Sequence, residues 1–103
     1  MIDHTAFFGD ASHTFRLTDP MVTELERLTG TGIGSLFTRM TRADFRLNDL
    51  AEVIRLGLIG AGTSPEDAAR LVQTYAHHRP IGEILPLVLS ILDARWSGTE
   101  AAA

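Results

Sequence analysis

The sequence predicts an α+β fold that is mainly helical, a compact bundle of four to five short helices behind an N-terminal β-hairpin. Three observations carry the prediction. Turn residues from Gly9 to Ser12 split an alternating N-terminal stretch, whereas apolar spacings of three and four take over from Met21 onward. Two helix starts, Asp19-Pro20 and Ser64-Pro65, carry proline where its missing N–H costs nothing. Glycines at positions 30, 62 and 98 fall where the periodic stretches stop.

Thr5 to Phe8 and His13 to Thr18 read as strands around a four-residue loop, Gly9-Asp10-Ala11-Ser12. In the second strand Phe15 and Leu17 point one way and Thr14, Arg16 and Thr18 the other, giving one buried and one wet face. A lone hairpin is marginal in water, so this one must pack on the helices or pair with another chain. Asp19 is placed to accept hydrogen bonds from the first-turn amides of helix one, with Pro20 at its first position. Met21, Val22, Leu25 and Leu28 form the apolar stripe, Glu24 and Glu26 lie off it, and Arg27 suits the negative end of the dipole. Gly30 ends the helix.

Past Gly30-x-Gly32-x-Gly34, residues Ile33, Leu36, Phe37 and Met40 mark a second helix ending near Arg42. Asp44 to Leu47 reads as extended, with Asn48 capping a third helix that carries Leu50, Val53, Ile54 and Leu58. That helix ends in the glycine-rich run from Gly57 to Gly62. Ser64-Pro65-Glu66-Asp67 opens a fourth helix with a cap, a proline and two carboxylates. Its buried stripe is Ala68, Leu71, Val72, Tyr75 and Ala76, and Arg79-Pro80 stops it. A fifth helix runs from about Ile81 to Trp96, with Ile84, Leu85, Val88, Ile91 and Leu92 at helical spacing. Pro86 should kink that helix or move its start, because its ring blocks the bond to Gly82. Residues 1–98 are expected to form one domain, and 99–103 a disordered tail.

Composition narrows the function. With 45% hydrophobic and 21% charged residues, the chain has an ordinary soluble balance. Its longest apolar run, Leu85 to Leu92, is far short of a membrane span and contains Pro86 and Ser90. The N-terminus has no basic start leading into an apolar run, so a cytoplasmic location is the simplest expectation. The net charge is −4, and all nine basic residues are arginine. Nucleic-acid binders cluster their positive charge on one face. Here the arginines are scattered, and the loose group Arg39, Arg42 and Arg46 has Asp44 and Asp49 beside it. Without cysteine there are no disulfides, thiolate metal sites or cysteine nucleophiles.

Motifs that could carry chemistry dissolve in context. The Gly30–Gly34 spacing follows a helix, whereas a dinucleotide fingerprint must follow a strand. His77 and His78 are adjacent, so a helix would point them about 100° apart, away from a shared ion. His4 and His13 could meet across the hairpin, but no third ligand is indicated. A helix-turn-helix reading would make the Ser64 to His78 segment the recognition helix, yet it opens with two acids where DNA-facing donors belong. No cofactor, no metal and no catalysis are expected, and DNA binding ranks low.

The surplus is hydrophobic. Leu87 and Leu89 lie off the Ile84/Val88/Ile91 stripe of the fifth helix, and Trp96 closes it. A helix apolar all round is either central to the core or covered by a partner. The small size of the chain favours the partner, with Ile84, Leu87, Leu89 and Trp96 as its contacts.

The order of elements then resembles a known family. The residues that carry the likeness are Leu25-Glu26-Arg27 to Thr29-Gly30, DLAEVIRLGLIGAG from Asp49 to Gly62, SPEDAARLV from Ser64 to Val72, and the apolar helix ending at Gly98. The chain is similar, from about Gly9 to Gly98, to the gene transfer agent and siphophage tail assembly chaperone family, also described as gene transfer agent tail tube proteins. The resemblance implies a non-enzymatic protein of tail morphogenesis. As a tail assembly chaperone it would coat the tape-measure protein until tube subunits polymerise, with the tape-measure protein, and in some readings the tube subunit or further copies of itself, as partners. The alternative is a tube or tail-completion component, which would need a larger β-sheet than one hairpin.

Overall fold

The computed structural model describes residues 1–99. β1 (Asp3–Phe8) pairs antiparallel with β2 (Ala11–Arg16), in a register running from Asp3 opposite Arg16 to Phe8 opposite Ala11. The turn is therefore Gly9-Asp10 alone, shorter than the four-residue loop expected, and β2 stops at Arg16 instead of reaching Thr18. Gly9 supplies the left-handed backbone a tight hairpin needs, at φ 69°, so Ala11 and Ser12 can join the ladder. Asp10 and His13 hydrogen-bond across the turn at 3.0 Å. Phe15 and Leu17 are fully buried, as the alternation required. On the wet face Arg16 grips Asp3 through two bonds of 2.6 and 2.7 Å, and the Thr5 and Thr14 hydroxyls meet at 3.1 Å.

Five helices follow: α1 (Asp19–Thr29), α2 (Ile33–Thr41), α3 (Leu47–Gly60), α4 (Pro65–Tyr75) and α5 (Ile81–Ser97). Asp19 does not cap α1. Thr18 holds the capping position, and the Asp19 carboxylate accepts Arg95 Nη2–H from α5 at 2.7 Å. Arg95 also donates from Nη1 to the Leu17 carbonyl at 2.9 Å, tying the end of α5 to the entrance of α1. Gly30 ends α1 at φ 73°, its N–H on the Glu26 carbonyl at 2.9 Å. Glu26, off the apolar stripe, accepts the Ile33 N–H at 2.9 Å and so satisfies the first turn of α2.

The cap of α3 differs from expectation. The helix begins at Leu47, which leaves Asn48 exposed within its first turn. Asp49 reaches back instead, accepting the Arg46 N–H at 3.0 Å, while Arg46 Nη2 donates to the Thr29 carbonyl at 2.6 Å. In α4 the Ser64 hydroxyl accepts the Asp67 N–H at 3.2 Å, as its sequence announces. The stop comes at Tyr75, ahead of Arg79-Pro80, and His78 beyond it is left-handed at φ 64°. Helix α5 runs through Pro86 from Ile81. The carbonyl that Pro86 cannot bond belongs to Gly82, which is exposed and open to water.

The centre of the molecule is α3, not α5. It packs against β2, α1, α4 and α5, and Leu50, Ala51, Val53, Ile54, Leu56 and Leu58 are all buried. Two glycines let β2 approach it. Gly57 lies against the Phe15 side chain, and Gly60 against the Arg16 carbonyl. With α3 in the middle, α5 takes a flank: Ile84, Val88, Ile91 and Leu92 face the core, while Leu85, Leu87 and Leu89 are half-buried against its edge. The notion of a central, all-round buried α5 fails for that reason. Tail residues 100–103 lie outside the described residues, and Thr99 donates its N–H to the Met1 carbonyl at 2.7 Å.

Candidate functional site

The hairpin tip, the end of α4 and the first turns of α5 enclose an open groove of about 280 Å³. Phe7, Phe8, Tyr75, Ile84 and Leu87 supply its apolar walls, with Arg79 and Glu83 at the rim. Local chemistry builds it. Two aromatics in sequence on a strand must point to opposite faces. Phe8 therefore enters the core, and Phe7 stays 70% exposed. The Phe8 ring meets Phe15, Tyr75 and His13 edge-on, with centroids 6.2, 6.0 and 6.4 Å apart. Gly9 sits so close beneath Tyr75 that any side chain there would overlap the ring, which pins the hairpin tip to α4. Pocket size matters here: it is at the lower limit for a small-molecule site and suits a few inserted side chains.

The four sequence-predicted contacts divide into two places. Ile84 and Leu87 share one side of α5 and line the groove, although Ile84 is only 4% exposed and contributes little free surface. Leu89 and Trp96, two turns apart, share another side. Trp96 is 62% exposed and rests on α2, against Gly34 and with its ring 5.6 Å from Phe37. Phe7, Tyr75, Arg79 and Glu83 were not anticipated as groove residues. The adjacent pair Phe7-Phe8 was the available signal, since a half-buried hairpin cannot bury both.

Charge on the surface is largely internally matched. Arg16, Arg27, Arg46, Arg55, Arg70 and Arg95 pair with Asp3, Glu24, Asp49, Glu52, Asp67 and Asp19, leaving Arg39, Arg42 and Arg79 outside such pairs among the described residues. The Arg16 hydrogen bond holds the Asp3 carboxyl below its ordinary range, and Arg27 does the same for Glu24. His13 lowers Asp10 in the same way. Arginines already holding carboxylates make a poor phosphate-binding face. Among the described residues no three His, Asp or Glu side chains gather as metal ligands, and no helix is long and apolar enough to cross a membrane.

A hairpin on five short helices carries self-paired surface charge and two large exposed aromatics, Phe7 and Trp96. Residues 1–98 match the family described as phage tail tube protein, GTA-gp10, and the chain belongs to that gene transfer agent tail family. Comparison with curated proteins and with solved structures gives no match. The family is one of structural tail proteins.

Proposed function

We propose that this chain is a tail assembly chaperone, a non-enzymatic cytoplasmic protein that binds the tape-measure protein while a non-contractile tail is built. The observation that carries the reading is the groove at the hairpin tip, where Phe7 stands 70% exposed beside Tyr75, Ile84 and Leu87. An exposed aromatic beside a half-filled apolar trough suits an amphipathic client helix that presents anchors at i, i+3, i+4 and i+7. Trp96 of α5, which rests on Phe37 of α2, offers a second contact, with Leu89 on the same side of α5. Co-expression with the tape-measure polypeptide tests the reading. The client should stay soluble and co-purify with this chain, and Phe7→Ser should release it. A client equally soluble without this chain would contradict it.

The tube-subunit reading has one observation in its favour besides the family description. The two-stranded hairpin keeps both outer edges free of further strands, so the sheet could grow by addition of other strands. A tube or tail-completion component would remain in finished particles at fixed stoichiometry, whereas a chaperone would leave before completion.

A further inference from the structure

We propose that the groove selects its client helix by charge as well as by shape. Beside its apolar stripe the helix carries a carboxylate for Arg79 and, one turn away, a basic side chain for Glu83. The inference rests on the client-helix reading and adds to it the chemistry of the partner.

Elsewhere on this surface, opposite charges close on one another. Arg27 pairs with Glu24, Arg46 with Asp49, Arg55 with Glu52 and Arg70 with Asp67, each three residues apart, and His13 bonds Asp10 at the same spacing. Arg79 and Glu83 are also of opposite sign, four residues apart, both exposed and both on the rim of one groove. Yet among the described residues neither closes an ion pair, with the other or with any third group. Local structure keeps them open. Arg79 precedes Pro80, which caps α5, whereas Glu83 lies in the first turn of that helix. The spacing of four that joins opposite charges on a continuous helix is therefore interrupted. The positive end of the α5 dipole suits Glu83 but gives Arg79 no partner. Of the three arginines outside ion pairs among the described residues, Arg39 and Arg42 lie at the end of α2, and Arg79 borders the groove.

These open charges constrain what can lie in the groove. A helix seated on Phe7 and Leu87 also covers the rim, and any charge it strips of water without pairing weakens the complex. A helix with opposite charges at those places replaces the lost hydration with two ion pairs. Glu83 and Leu87 are one turn apart along α5, and Arg79 lies beyond Glu83, so this wall presents base, acid and apolar side chain in turn. The matching client face presents acid, base and apolar anchor, each about one turn from the next.

Calorimetric titration with two designed peptides tests the inference. Both are helical, carry leucine at i, i+3, i+4 and i+7, and differ only in the order of one glutamate and one arginine set a turn apart beside that stripe. One order should bind the wild type about three- to tenfold more tightly than the other. Arg79→Glu combined with Glu83→Arg should reverse the preference, and Arg79→Gln combined with Glu83→Gln should erase it. Phe7→Ser should weaken both peptides alike. Equal affinity of the two peptides for the wild type, or a preference unchanged by the charge swap, would overturn the inference; the groove reading survives that result if Phe7→Ser still weakens binding. If neither peptide binds, or Phe7→Ser changes nothing, the client-helix reading falls and this inference falls with it. Should the swapped variant lose its helical circular dichroism, the glutamine variant decides, and a preference retained there overturns the inference.

Discussion

Gly60, at the end of α3, packs its Cα directly on the carbonyl oxygen of Arg16 at the end of β2, so close that a methyl group there would overlap it. The contact locks the central helix to the hairpin, and it explains why an α-helix tolerates glycine at that position. Gly60→Ala should lose about 1–3 kcal/mol of stability through overpacking, against a gain of up to about 1 kcal/mol in helix propensity. Gly82→Ala is the control. It lies in α5 with nothing near its would-be Cβ, and it should stabilise by up to about 1 kcal/mol. Urea unfolding of both variants measures the difference.

The start of α3 separates two neighbouring polar residues. Asp49 is 2% exposed and accepts the Arg46 N–H, whereas Asn48 is exposed. Asp49→Ala should cost about 1–3 kcal/mol, since it leaves buried polar groups unpaired. Asn48→Ala should stay within about 0.5 kcal/mol. Thermal unfolding at neutral pH would show a clear drop in Tm for the first variant alone.

Acid should loosen the molecule through its surface pairs. Asp3 is held below its ordinary value of 3.8 by its hydrogen bond from Arg16, so its contribution to stability is complete above that value, which the unfolded chain keeps. It is lost as pH falls through the lower, folded value. Glu24, lowered by Arg27 from 4.5, and Asp10, lowered by His13 from 3.8, act in the same direction. Asp3→Asn should therefore flatten the acid limb of a stability–pH curve. Added salt should shrink the difference, because these pairs are solvent-screened.

Function and fold should come apart at Phe7. The side chain is 70% exposed, so Phe7→Ser should change stability by no more than about 0.5 kcal/mol. Affinity for an apolar client helix should fall at least about tenfold, the loss expected when an exposed aromatic anchor is removed. Leu87→Ser, half-buried in the same groove, should lose both stability and binding. Calorimetric titration with a client-derived helical peptide, beside urea unfolding, distinguishes the two variants.

What could be read from residues alone followed from how local each cause is. Ser64 and Pro65 cap α4 as read, because cap and helix are adjacent in sequence. Asn48 was the wrong cap because a reach-back from Asp49 depends on where the helix begins, which propensity leaves open by a residue or two. The hairpin turn shortened for the same reason: Gly9 alone provides the left-handed residue, and Ala11 is free to pair. Periodicity showed an apolar stripe on each helix, but it could not rank them. The central place went to α3 because Gly57 and Gly60 admit β2, a contact between segments about 40 residues apart. The groove was hidden for that reason too, since its walls come from the hairpin tip, the end of α4 and the start of α5. Only Ile84 and Leu87 were anticipated there.

The most direct test of a transient, client-holding role is quantitative mass spectrometry of this chain across tail assembly. It should be abundant in a soluble complex with the tape-measure protein and depleted from purified, finished particles. Retention in those particles in fixed proportion to the tail length would contradict that role and make the chain a building block of the tube.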